Sequence, residues 1–179
     1  MITTEELYLK IPTEEDEQIV MEARTEFLNV ESRIPGAGSL EKNEVYSDWL
    51  EKVVLDLSEK TVPAGRVPST QYLTMRKSDN KLVGFIQLRH HINHDYLSVF
   101  GGHIGDSIRP SERNKGYATK QIQMVCNIAK NMGIEKVLIT CKDWNTASAR
   151  TIEKSGGVFE KEVVDNEGKK FKRFWILTK

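Results

Sequence analysis

The stretch RNKGYATK, residues 113–120, places Gly116 between two basic residues and a run that opens a helix. From there Ala118, Ile122, Val125, Ala129 and Met132 recur on one helical face, and Gly133 marks its end. The segment before it, about residues 97–109, reads as a strand. Strand, tight glycine loop and helix form a unit suited to an anion. Successive N–H groups in such a loop make a nest, and the first helical turn leaves its N–H groups unpaired with a positive partial charge. Gly116 lets a ligand approach the backbone, Ala118 is small, and Arg113 and Lys115 add charge at the rim. A plain surface loop is the other reading, and spacing alone does not separate the two.

Two phosphate cradles are excluded. A P-loop needs Gly-Lys-Ser/Thr, and the single Gly-Lys pair, Gly168-Lys169, is followed by Lys170. A dinucleotide fingerprint needs three spaced glycines. GAGSLE at 36–41 lacks the third, and GGHIG at 101–105 lies inside a strand-like run.

Working outward, LYLKI at 7–11 alternates as a short strand, and Pro12 stops it. Thr13 with Asp16 imitates a capping box, and Ile19, Ala23 and Phe27 mark a helix over about 14–28. A Pro- and Gly-bearing loop at 29–43 leads to a second helix marked by Val45, Trp49, Val53 and Leu57. QYLTMRK and KLVGFIQLRHH flank SDN and predict a hairpin. Gly101, Gly102 and Gly105 are too many for a strand interior and predict a bulge or a close backbone approach. KVLITC at 136–141 is continuously apolar, as a doubly buried central strand is. Asn145 caps a shorter helix, and a final hairpin turns at DNEG, residues 165–168. The order β-α-α-β-β-β-α-β-α-β-β predicts a mixed α+β sheet in a single domain over residues 1–179.

Composition narrows the function classes. With 26 basic and 26 acidic side chains, the chain has no global drive toward nucleic acid or an anionic membrane. The basic run KKFKR at 169–173 reads as a solvated face. Cys126 and Cys141, the two cysteines, lack metal-ligand spacing and sit among apolar residues, so they read as buried thiols in a reducing compartment. The first residues lack the basic and apolar regions of a signal peptide, and no apolar run reaches membrane-spanning length. A cytoplasmic protein without a metal site is expected.

Residues 113–118 resemble the R/Q-x-x-G-x-G/A loop of the GCN5-related N-acetyltransferase (GNAT) family. NTASARTIEKSGG at 145–157 resembles its second landmark, an Asn opening the helix after the central strand and EK-x-G closing it. The resemblance covers about residues 71–179 well. It implies the acyl-CoA N-acyltransferase fold, a mixed but mostly antiparallel sheet flanked by about four helices. It further implies acetyl-CoA as co-substrate, with pyrophosphate on Arg113, Asn114, Lys115, Gly116, Tyr117 and Ala118. The pantetheine arm would lie along Ile108, and Asn145 and Ser148 would flank it or the thioester. The acceptor would be a small-molecule or peptide amine, and the protein a monomer or homodimer. A non-catalytic acyl-CoA-binding module of the same fold, or a binding protein for another phosphate ligand, is the alternative.

The resemblance implies direct attack of a neutral amine on the thioester. A lysine-type amine with pKa about 10.4 is neutral at pH 7 about once in 2,500 molecules, so a base matters. His103 is the candidate base, where relatives use a glutamate, and a structural histidine is its other reading. Asp106 is a weaker alternative. Many relatives place a tyrosine acid where counting gives Ile152 here, which leaves Tyr117 or water to protonate the thiolate.

Overall fold

In the computed structural model, which describes residues 4–178, seven strands form one sheet in the order β1-β2-β3-β4-β5-β7-β6. The strands are β1 (Leu7–Lys10), β2 (Ser69–Arg76), β3 (Lys81–Arg89), β4 (Ile104–Ile108), β5 (Lys136–Lys142), β6 (Val158–Val164) and β7 (Lys170–Leu177). The helices are α1 (Glu17–Leu28), α2 (Tyr46–Leu55), α3 (Tyr117–Asn131) and α4 (Thr146–Lys154). All neighbours pair antiparallel except β4 and β5, which run parallel.

Each face of the sheet carries its own core. On one, Val20, Ala23 and Phe27 of α1 and Trp49 and Val53 of α2 cover Leu73, Met75, Leu82 and Phe85. On the other, Ile122, Val125 and Ala129 of α3 and Ile152 of α4 cover Val83, Ile86, Ile104, Ile139 and Phe174. Successive side chains of β3 leave the sheet on opposite sides, and a bulge opposite Thr74 and Met75 shifts the alternation, so that Leu82 and Phe85 share one core and Val83 and Ile86 the other. Ala23 and Phe27 of α1 are buried as expected, and one position differs. Val20 is fully buried, while Ile19 is half-buried at the edge of the core.

Local chemistry sets the ends of these elements. The Thr13 N–H donates to Asp16 Oδ2 at 2.8 Å and its hydroxyl at 3.0 Å, so the expected capping box opens a 3-10 turn (Glu14–Asp16) leading into α1. Leu57, expected in α2, lies beyond its end. The strand expected over about 97–109 is shorter. Leu97–Gly101 forms a π-helical turn, and β4 begins only at Ile104. The glycines supply the reason. Gly102 has φ +67°, and a Cβ there would fall 2.4 Å from the Leu138 carbonyl oxygen of β5. The neighbouring backbone comes as close as the glycine content predicts, and the strand cannot continue through it.

Arg173 corrects the reading of the basic run. It is buried, pairs with Glu160, and donates from Nη1 to the carbonyls of Ser98 (2.7 Å) and Val99 (2.6 Å). It fastens the π-helical turn to the sheet, while Lys169 and Lys170 of the same run are exposed. Cys126 and Cys141 are free and buried, and burial pushes the Cys126 thiol up to about 12. No helix among the described residues is long and apolar enough to cross a membrane.

Candidate active site

β4 and β5 touch at one rung. Ile104 pairs with Ile139, and beyond it the strands diverge. His103 closes this junction. Its backbone N–H donates to the Leu138 carbonyl at 2.7 Å, and its Nδ1 accepts the Leu138 N–H at 2.9 Å. The ring stands edge-on to Trp175 and is buried. Burial first, then the charge of Arg89 and the nearby His91, hold its pKa down at about 4. The sequence expectation of a base is therefore met by a different fact. His103 is neutral at physiological pH, its accepting nitrogen is occupied, and it is not among the residues lining the cleft.

The cleft opens where the strands part and has a volume of about 620 Å³. Its floor includes Asp106, Ser107 and Ile108 of β4, and its far wall is α4. The loop after β4 reaches it through a 3-10 turn (Pro110–Glu112), Arg113 in extended conformation, and Asn114 and Gly116 at positive φ (64° and 78°). Gly116 is the N-cap of α3, and no side chain caps that helix. Its first backbone bond runs from the Lys120 N–H to the Gly116 carbonyl at 3.3 Å. The N–H groups of the first turn remain for a ligand. A Cβ at Gly116 would meet no atom within 4 Å, so the space above it is open.

Buried charge holds this loop in shape. Glu112 is buried and accepts from Arg76 (2.6 Å), Lys81 (2.6 Å) and Lys115 (2.8 Å). Burial would raise its pKa, but hydrogen bonds from Lys115, Lys81 and Arg76 outweigh it and hold the carboxyl down at about 2. From α1, Glu26 accepts the Ser111 N–H at 2.7 Å and pairs with Arg109. Arg113 donates from Nε to the Ile108 carbonyl at 3.1 Å and pairs with Glu31.

Of the residues expected in the site, Ile108, Arg113, Asn114, Gly116, Tyr117, Ala118, Asn145 and Ser148 all line the cleft. Lys115 sits beside it, engaged with Glu112. Asn145 caps α4, its Oδ1 accepting the Ser148 N–H at 3.0 Å. The Tyr117 hydroxyl accepts from Arg76 at 3.3 Å, at the loop end of the cleft rather than over the diverging strands. Ile152 is buried in the core beneath the Gly157 turn, where a Cβ on Gly157 would lie 2.5 Å from its Cγ2. The residue at 152 is a packing residue here.

Sequence reading missed Arg150 and Lys154, which line the α4 wall with Ala147 and Thr151. Their spacing, 147-150-151-154, is one helical face and was available as a signal. Asp106 was ranked below His103, yet it lines the cleft and His103 does not. Burial drives its pKa up to about 6 against a hydrogen bond from Gln121 Nε2 (3.2 Å). Beside it, the buried Ser107 hydroxyl has no hydrogen-bond partner. An uncapped helix start, an open glycine, an orphaned hydroxyl and two cations on the far wall suit a long ligand with a phosphate end and a polar arm.

A family model described as "Acetyltransferase (GNAT) domain" matches residues 6–158. The chain belongs to the GNAT acetyltransferase family and is an acyltransferase by class. Among solved structures it is similar to the Microcin C7 self immunity acetyltransferase MccE in complex with acetyl-CoA and AMP. That match has TM-score 0.70 and 15% identity, covering 97% of this chain and 93% of that one. It is also similar to the dodecameric spermidine N-acetyltransferase from Vibrio cholerae, with TM-score 0.67 and 17% identity over 98% and 95% of the chains. An acetyltransferase of the GNAT family from Bacillus anthracis matches at TM-score 0.66 and 22% identity, over 99% and 98%. At these identities the likeness establishes the fold. No curated protein sequence matches the chain.

Proposed function

We propose that the protein transfers the acetyl group of acetyl-CoA to an acceptor amine by direct attack. The observation that carries this reading is the continuity of the cleft, from the splayed β4–β5 junction to the uncapped start of α3 at Gly116. Residues 113–118 hold the pyrophosphate with backbone N–H groups. Arg150 and Lys154 of α4 supply further positive charge. Ser107 and the backbone at Ile108 meet the polar pantetheine arm, and Ser148 stands on the opposite wall.

Acetyl-CoA supplies an activated carbonyl. The amine nitrogen bonds to that carbon, the carbon–sulfur bond breaks, and the products are an acetamide and free CoA thiol. The amine must lose a proton. Asp106 is the group placed to take it, because a carboxylate with pKa about 6 is ionised at neutral pH and still more basic than an ordinary one. The thiolate takes its proton from water at the open cleft, since the Tyr117 hydroxyl is held at the loop end by Arg76. Release of CoA thiol from acetyl-CoA, followed across a panel of amines, tests the activity. Asp106→Asn should lower kcat while leaving acetyl-CoA affinity near wild type.

A further inference from the structure

A second cavity, about 260 Å³, lies between the 33–41 loop, the segment around Arg66 and the end of β3. Pro35 lines both this cavity and the cleft, so the two share a wall. That wall is thin. A Cβ on Gly36 would lie 2.2 Å from the Gly105 carbonyl oxygen, and one on Gly105 would lie 3.9 Å from Arg89 Nη2. The Arg89 guanidinium thus stands beside β4 where the strand begins to part from β5.

The charges in this cavity are unbalanced. Arg89 donates from Nη1 to the carbonyls of Gly102 (3.0 Å) and Gly101 (3.4 Å), and among the described residues it forms no salt bridge with a carboxylate. Burial pushes its pKa down, the sign of a guanidinium short of compensation. Arg66, also lining the cavity, is already paired with Asp56. Across from these, the buried Glu41 Oε2 has no hydrogen-bond partner. A guanidinium whose partners are the Gly101 and Gly102 carbonyls and no carboxylate, and a buried carboxylate oxygen with no partner, line one small cavity and ask for a ligand with the opposite pair of charges.

Resting on the acetyl-transfer reading, we infer that this cavity is the acceptor site and selects a small amine that also carries a carboxylate, as an amino acid does. Arg89 pairs with the carboxylate and Glu41 accepts from the ammonium group as the acceptor arrives. The amine then crosses the Pro35 and Gly105 edge toward the β4–β5 junction, where Asp106 takes its proton as it becomes the nucleophile. A polyamine is disfavoured, because its cations would face Arg89 with no carboxylate to shield them. The volume, below the roughly 300–1,000 Å³ of drug-sized sites, fits an acceptor of amino-acid size.

Two measurements test this, and only the first depends on acetyl transfer. In CoA thiol release, glycine and other amino acids are compared with their amides and with spermidine. The carboxylate form should be favoured in kcat/KM by about 10- to 100-fold, the worth of one charge-assisted hydrogen-bonded pair. Arg89→Gln should abolish that preference, and Arg89→Lys should keep part of it, with calorimetric acetyl-CoA affinity unchanged in both. The second measurement titrates the protein, without CoA, with N-acetylglycine and N-acetylglycinamide and follows NMR shifts. The acid should bind at least about tenfold tighter than the amide, and Arg89→Gln should equalise them. If wild type fails to bind acetyl-CoA but keeps this acid-over-amide difference, the acetyl-transfer reading fails and the anion site stands. Equal use of acid and amide, a preference for spermidine, or a preference that survives in Arg89→Gln would overturn the inference.

Discussion

Gly36 and Gly105 pack backbone against backbone: a Cβ on Gly36 would sit 2.2 Å from the Gly105 carbonyl oxygen, and one on Gly105 would sit 3.3 Å from the Gly36 Cα. Gly36 also has φ +72°, a conformation costly for other residues. Trp49 supports the contact from below, its Nε1 donating to the Ala37 carbonyl at 2.8 Å. This contact lays the 33–39 loop on β4 and forms the wall between cleft and cavity. Gly36→Ala should therefore destabilise the fold by about 1–3 kcal/mol through overpacking and strain. Urea unfolding measures this, and a variant as stable as wild type would show that the loop yields freely.

His103 leads to a prediction about stability rather than rate. Its native pKa, about 4, lies below the usual histidine value near 6.5. The unfolded chain therefore binds a proton on this side chain between pH 6.5 and 4 that the native chain does not. Stability rises with pH through that window and is reduced below it, by about 3 kcal/mol at the acid end. His103→Gln should remove this part of the acid sensitivity. Its loss of activity, through a loosened β4–β5 junction, should be the same at every pH from 7 to 9. A deficit that shrinks as pH rises would restore His103 as the base.

Asp106 carries the opposite signature. Burial raises its pKa to about 6, so the native protein holds this proton more tightly than the unfolded chain does. The stabilisation is full below pH about 4 and is lost as pH rises through 6. Asp106→Asn should thus be more stable than wild type at pH 8, by on the order of 2–3 kcal/mol, and nearly equal at pH 4. The same substitution should lower kcat by about 10²-fold or more if the carboxylate takes the amine proton. Higher stability without loss of kcat would leave Asp106 a buried acid and nothing else.

Glu112 should be the most sensitive charge in the loop. It neutralises Arg76, Lys81 and Lys115 at once from a buried position. Glu112→Gln leaves those cations facing one another and should cost about 3 kcal/mol at pH 7. Since the native pKa is depressed to about 2, the difference from wild type should fade as pH drops from about 4.5 toward 2. Thermal melts at pH 7 and pH 3 would show it, and equal melting temperatures at pH 7 would contradict it.

The loop and helix start at residues 113–118 were legible in the sequence because backbone chemistry marks them. A glycine at positive φ, a helix start and a preceding strand leave marks in local spacing, and residues 113–118 do form that unit. The order of elements along the chain and the burial of KVLITC at 136–141 followed from alternation, apolar run and helical period for the same reason. The centre of the cleft was harder, because it depends on which side of β4 faces which partner. β4 begins later than its apolar pattern implies, since Gly102 must pass the Leu138 carbonyl and residues 97–101 turn into a π-helix. His103 therefore falls just outside β4, bonded to Leu138 at the junction, while Asp106 lies within the strand. Arg173 was misread for a similar reason. A basic run gives no sign that one of its members will find two backbone carbonyls across the sheet.

The most direct test of the account is calorimetric binding of acetyl-CoA to wild type and Gly116→Glu. No atom lies within 4 Å of a Cβ at Gly116, so the substitution adds bulk and negative charge to the cradle rather than to the core. The account predicts that affinity falls at least about 100-fold, as two or more charge-assisted hydrogen bonds are lost. Unfolding should shift by only about 1–2 kcal/mol, the cost of a side chain at positive φ. A folded Gly116→Glu variant that binds acetyl-CoA as tightly as wild type would contradict it.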